Sequence, residues 1–225
     1  MATLPQFVDT LAELDPLRDK SQIHQFGRAM REAGLIPGGK RGLGAPDLSA
    51  QHVTSLLLGT FGGYSQAQSP NVVSQLRRLT LFEGELEYKV GDDDAFKAKI
   101  EGSALANILK KADNFGEAIE NLIICAPIIA RELPTFCGSK DTGDEDPFEF
   151  FSRNSAAFLH ITLHPTHAII SVVDLHNRVP LVADFQTPAD RWGELEHYLK
   201  GDRSPSVTFT QNSLFALHKT LVRDA

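Results

Sequence analysis

The stretch Gly34-Leu-Ile-Pro-Gly-Gly-Lys-Arg-Gly-Leu-Gly-Ala-Pro-Asp47 constrains this chain more than any other feature. Gly34, Gly38, Gly39, Gly42 and Gly44 permit positive φ and oppose helix, so the segment reads as a tight ribbon, with Lys40 and Arg41 at its tip. Helical patterns flank it on both sides. Ahead of it, Phe7, Val8, Leu11 and Leu14 recur on helical spacing from Pro5, a residue suited to a first turn. Asp15-Pro16 then breaks that helix, because a residue before proline is pushed out of the α region.

Asp19 or Ser21 caps a second helix that runs to Ala33, and Gly34 stops it. Ile23, Phe26, Met30 and Ala33 form its apolar stripe, while Ser21, His24, Gln25, Arg28 and Arg31 project from the other side. Beyond the ribbon, Ser49 caps a third helix with Val53, Leu56 and Leu57 inward, ending at Gly59. A fourth, short helix opens at Ser69-Pro70 and carries Val73, Leu76 and Leu79 on one side, with Arg77 and Arg78 nearby.

Charge is divided unevenly along the chain. The net charge is -7, which by itself opposes nucleic-acid binding. Residues 1–80 nevertheless carry eight Lys/Arg against six Asp/Glu, and residues 81–225 carry fourteen against twenty-three. From Lys20 to Arg41, five basic residues face Glu32 alone. Such asymmetry assigns different tasks to the two parts.

The run Arg31-Glu-Ala-Gly-Leu-Ile-Pro, followed by Arg41-Gly in the ribbon and Ser49 opening a helix, resembles the winged helix-turn-helix domain of mercury-resistance (MerR-type) regulators. It is also similar to N-terminal domains of phage and prophage proteins. The resemblance covers residues 1–60 and implies a recognition helix followed by a basic wing. The residues support the same expectation. A recognition helix buries one stripe and offers donors and acceptors to the major groove. Lys20, Ser21, Gln22, His24, Gln25, Arg28 and Arg31 supply that face, and Lys40 and Arg41 suit phosphates or the minor groove.

From residue 81 the texture changes. Leu81 to Val90 alternates as a strand, and Leu105 to Ala112 and Phe115 to Leu133 read as helices, the second kinked or divided by Pro127. Phe158 to Val173 reads as a hairpin turning near His164-Pro165; Leu181 to Phe185 and Val207 to Thr210 are further strands, and Ser213 to Arg223 is a closing helix. The expected architecture is α+β: a winged helix-turn-helix domain (1–62), a linker helix (63–80), and an α+β domain with a small, mainly antiparallel sheet (81–225).

Other motifs point to bland roles. Gly34-x4-Gly39-Lys40 lacks the Ser/Thr of a phosphate-binding loop, since Arg41 stands there, and it follows a helix where that motif needs a strand. His160, His164 and His167 read as polar-face residues of a half-exposed sheet, with no acid at a ligand spacing. Asp92-Asp93-Asp94 lacks the spacing of a calcium loop, and the acidic run Asp141 to Asp146 reads as a solvated loop or a contact for a basic partner. Cys125 and Cys137 form no metal pattern and read as reduced thiols. No catalytic set emerges, and no metal or cofactor is expected.

The sequence therefore reads as a cytoplasmic, double-stranded DNA-binding transcriptional regulator of phage or prophage type, acting as a homodimer, with no membrane association. The acidic C-terminal part would mediate self-association or bind a protein partner. The alternative is a protein-interaction module, such as a phage inhibitor of a host machine or a DNA-packaging adaptor.

Overall fold

The computed structural model describes residues 2–38, 46–62, 65–90, 93–141, 143–164, 166–176, 178–191 and 206–223. Among them are ten helices and six strands, a mixed α+β architecture. Lys40, Arg41 and the rest of the ribbon from 39 to 45 lie outside the described residues, so the expected wing is not placed.

The N-terminal helices follow their sequence signals closely. Helix α1 (Leu4–Leu14) buries Leu4, Phe7, Val8 and Leu11, and it ends where Asp15-Pro16 forbids another turn. Asp15 is itself buried. Its carboxylate accepts the Leu17 amide at 3.1 Å and pairs with Arg18, which holds the turn rigid. Helix α2 (Lys20–Glu32) starts from a reciprocal cap: Asp19 Oδ1 accepts the Gln22 amide at 2.7 Å, and Gln22 Oε1 accepts the Asp19 amide at 3.1 Å. At its other end Gly34 takes φ +73°, the Leu35 amide donates to Met30 O, and the Gly34 amide donates to Arg31 O. That pair of bonds is the glycine-dependent helix stop.

Helix α3 (Ala50–Phe61) lies at the centre, with every residue from Val53 to Phe61 buried. Helix α4 (Ser69–Leu76) buries Val72, Val73 and Leu76, and Ser69 Oγ donates to Gly59 O at 2.9 Å. A Cβ on Gly59 would lie 2.9 Å from Met30 Cε, so glycine there lets α2, α3 and α4 meet closely.

The expected strand from 81 to 90 is broken. Only β1 (Thr80–Leu81) and β2 (Glu87–Tyr88) pair with the sheet, both along the same edge of β5 (Leu181–Gln186). Between them Phe82–Gly84 forms a single 3-10 turn, with Glu83 at φ 52° and Gly84 at φ 71°. The alternation that suggested one strand is real, but the turn steps the chain sideways and shifts its register against β5.

Helices α5 (Asp94–Glu101) and α9 (Pro147–Asn154) are additional to those expected from the sequence. Helix α6 (Ala104–Lys111) is capped from outside as well as from within. Ser103 Oγ accepts the Ala106 amide, and Glu132 accepts the Ala104 and Leu105 amides at 2.7 and 2.9 Å. Helices α7 (Phe115–Ile124) and α8 (Ala126–Phe136) divide at Cys125, two residues before Pro127. Proline lacks the donor that a continuous helix would need there.

Strands β3 (Ala157–Leu163) and β4 (His167–Asp174) form the expected hairpin, and β6 (Val207–Thr210) pairs with the far side of β3. The order is β1-β5-β4-β3-β6, antiparallel throughout, with β2 beside β1. Strict alternation turns Leu159, Ile161, Ile170, Val172, Ala183 and Phe185 inward, onto the helices. Helix α10 (Gln211–Val222) closes the chain.

The core does not part at residue 62. One apolar cluster runs from Ala2 to Leu217 and includes Leu56 to Leu58, Phe115, Leu122, Ile161 and Phe185. Phe61 stacks at a tilt on Phe209 of β6, centroids 5.6 Å apart, and Thr10 of α1 meets Thr220 of α10 at 2.8 Å.

Candidate nucleic-acid interface

Helix α2 presents two unlike faces. Ile23, Phe26, Gly27 and Met30 are buried against the helices beneath. Lys20, Ser21, Gln22, His24, Gln25 and Arg28 are exposed, and Arg31 is half-buried. Ser21, His24, Gln25 and Arg28 stand at positions i, i+3, i+4 and i+7, so they share a single stripe along the helix. Ser21, His24 and Gln25 make no hydrogen bond within the described residues, which leaves a hydroxyl, an imidazole and a carboxamide open to an external partner.

The other candidate residues are engaged. Gln22 uses its carbonyl oxygen in the helix cap, keeping only its NH2 group for outside contacts. Lys20 Nζ pairs with Asp9 of α1 at 2.7 Å, and Arg28 Nε pairs with Glu32 at 2.7 Å. Hydrogen bonding to those carboxylates, reinforced by their charge, raises both basic groups above their ordinary values. Both pairs lie in water, where such contacts contribute little and exchange readily. Arg31 turns partly inward, and its Nε is buried without a partner, although its charge complements the C-terminal end of the α2 dipole.

The base of the ribbon is fixed from both sides. Ile36 and Leu48 are buried, and the Leu48 amide donates to Ala2 O at 3.0 Å.

Two basic residues singled out near α4 differ in role. Arg78 is exposed, whereas Arg77 pairs with Glu120 of α7 and donates to Gln51 O of α3 at 3.2 Å. Arg77 is thus part of the framework behind the α2 surface.

The histidines of the sheet do not assemble a metal centre. His164 and His167 stack face to face, centroids 4.1 Å apart, at the hairpin end, while His160 pairs across from Ser171. Among the described residues no three His, Cys, Asp or Glu converge to hold an ion. Cys137 Sγ donates to Ala156 O at 3.1 Å, and burial first, then Asp174, pushes its thiol up, away from nucleophilic character. Two acids of the acidic loop are ion-paired: Arg131 pairs with Asp141 at 2.9 Å and donates to Glu145 O at 2.6 Å, and Arg153 pairs with Glu145.

Sequence reasoning missed the aromatic cleft between α9 and α10. Its four phenylalanines are scattered over residues 148–215, and no spacing rule joins them before the chain folds.

Among the described residues no helix is long and apolar enough to cross a membrane. No family model, curated protein or solved structure matches this chain.

Proposed function

We propose that this protein is a double-stranded DNA-binding transcriptional regulator of the kind carried by phages and prophages, and that α2 enters the major groove. The observation carrying this reading is the Ser21, His24, Gln25, Arg28 stripe: it is exposed, helical, rich in donors and acceptors, and set opposite a fully buried stripe. Gln25 suits the paired donor and acceptor of adenine, and Arg28 suits guanine once it exchanges Glu32 for the base. Lys20, released from Asp9, meets a phosphate, and Lys40 and Arg41 meet the backbone or minor groove beside it. One short helix reads few base pairs, so the active species is a homodimer that doubles the contact. The acidic remainder repels DNA and keeps the approach to one face.

A fluorescence-anisotropy titration with duplex DNA in rising salt tests the reading. Affinity falls steeply with salt, because each neutralised phosphate releases counterions. Arg28→Ala weakens binding about tenfold, and Lys40→Ala/Arg41→Ala lowers the salt slope by roughly two. Absence of binding at about 50 mM salt overturns the reading, since non-specific contacts alone hold duplex DNA under those conditions.

A further inference from the structure

A cleft of about 500 Å³ opens between α9, β3 and the start of α10, on elements other than α2. Its floor is aromatic. Phe215 meets Phe148 edge-on at 5.1 Å and Phe151 edge-on at 5.2 Å, and both Phe151 and Phe215 are buried. Phe148 and Phe158 remain half-exposed and line the cleft from α9 and β3.

The walls are tied together. Gln211 is 2% exposed, and its Oε1 accepts the Leu159 amide at 2.9 Å, fixing the first turn of α10 on β3. Thr210 Oγ1 caps that turn by accepting the Asn212 amide. Lys219 is the single charged residue among the described residues that line the cleft. Its Nζ stands 4.5 Å from the centroid of the Phe148 ring and makes no ion pair with the described residues.

We infer that this cleft is a binding site for a small aromatic anion, a planar ring bearing a carboxylate or sulfonate. The volume lies within the range of small-molecule pockets, roughly 300–1,000 Å³. The half-exposed phenylalanine faces offer edge-on or offset stacking to a ring, and such pairs add stabilisation beyond the area they bury. The lone ammonium at the rim selects a negative substituent, and the hydroxyl of Ser155 and the carboxamide of Asn212 give it further polar contacts. Because the walls are already fixed, binding orders little of the protein. The site does not depend on the DNA-binding reading.

The test uses two fluorophores that differ by one charged group: 8-anilinonaphthalene-1-sulfonate and the neutral N-phenyl-1-naphthylamine. With native full-length protein, the sulfonate binds saturably at one site, and at least tenfold more tightly than the neutral compound. Lys219→Met keeps the aliphatic stem of an exposed residue and removes this preference, lowering sulfonate affinity about tenfold while the neutral compound is unaffected. Ala216→Phe, at the half-exposed wall of α10, fills the cleft and abolishes binding of both, with circular dichroism confirming the native helix content. Equal affinity for the two fluorophores, an unchanged Lys219→Met, or non-saturable binding by several sites each overturns the inference.

Discussion

Arg77 shows how far a residue's role depends on its surroundings. In the sequence it belongs to a basic pair with Arg78 and looks like part of a charged surface. In the fold its guanidinium is mostly buried, paired with Glu120 and directed at Gln51 O and Ser55 Oγ, so it joins the end of α4 to α3 and α7. Gly116 makes room for it, since a Cβ there would lie 3.0 Å from Arg77 Cβ. Removing one partner of such a pair strands the other charge in a poorly solvated place. Arg77→Met and Glu120→Gln are each expected to destabilise the protein by about 2–3 kcal/mol, and the double variant by less than the sum, as read from urea unfolding midpoints. Equal and additive losses would show that the two side chains act separately. By contrast, the roles of Ser49 and Gly34 were legible directly and Asp19 was one of two caps the sequence allowed, because a cap or helix stop depends only on residues a few positions away.

At the scale of elements, the broken edge strand between β1 and β2 carries the clearest strain. Glu83 is the one non-glycine residue among those described with positive φ, at 52°. A side chain pays about 1 kcal/mol in that region, which glycine avoids. Glu83→Gly is therefore expected to leave the protein as stable or raise its melting temperature by a few degrees, whereas Gly84→Ala, with φ 71° and no neighbour within 4 Å, lowers it through backbone strain alone. Thermal melts of the two variants check the pair, and a loss in both would point to contacts of the Glu83 side chain in place of strain. The alternation from Leu81 to Val90 gave the right burial for Leu86 but not for Phe82, which is exposed, because the turn shifts the register by three residues and so reverses which positions face the sheet. The α7–α8 division was legible because proline states its constraint locally.

For the whole molecule, two histidines whose charged form is disfavoured contribute to the dependence of stability on pH. Burial, then the neighbouring His164, lowers His167; burial, then Arg77, lowers His52. A base whose folded value is depressed binds fewer protons folded than unfolded, so its contribution is present above the unfolded value near 6.5 and is lost as pH falls below it. The melting temperature is expected to drop between about pH 7 and 5.5, and His167→Gln flattens that drop without abolishing it, His52 remaining. Asp174, bonded by the Arg178 and His176 amides and the Arg178 side chain, is lowered despite its burial and contributes in a separate window, lost only as pH falls below the ordinary carboxylate range. An unchanged profile for His167→Gln would mean the stacked pair is solvated when folded. The sequence by itself determined the N-terminal helices, the β3–β4 hairpin, the α7–α8 division, the polar stripe of α2 and the α+β class, because each follows from periodicity or from a residue's own backbone preferences. Only the tertiary structure decided that the helices at the two ends of the chain share one core, that Arg77 turns inward while Arg28 faces water, and that four phenylalanines distant in sequence line one cleft with Lys219. Those outcomes depend on contacts between residues far apart in the chain, and a local pattern holds no record of which distant surface will cover it.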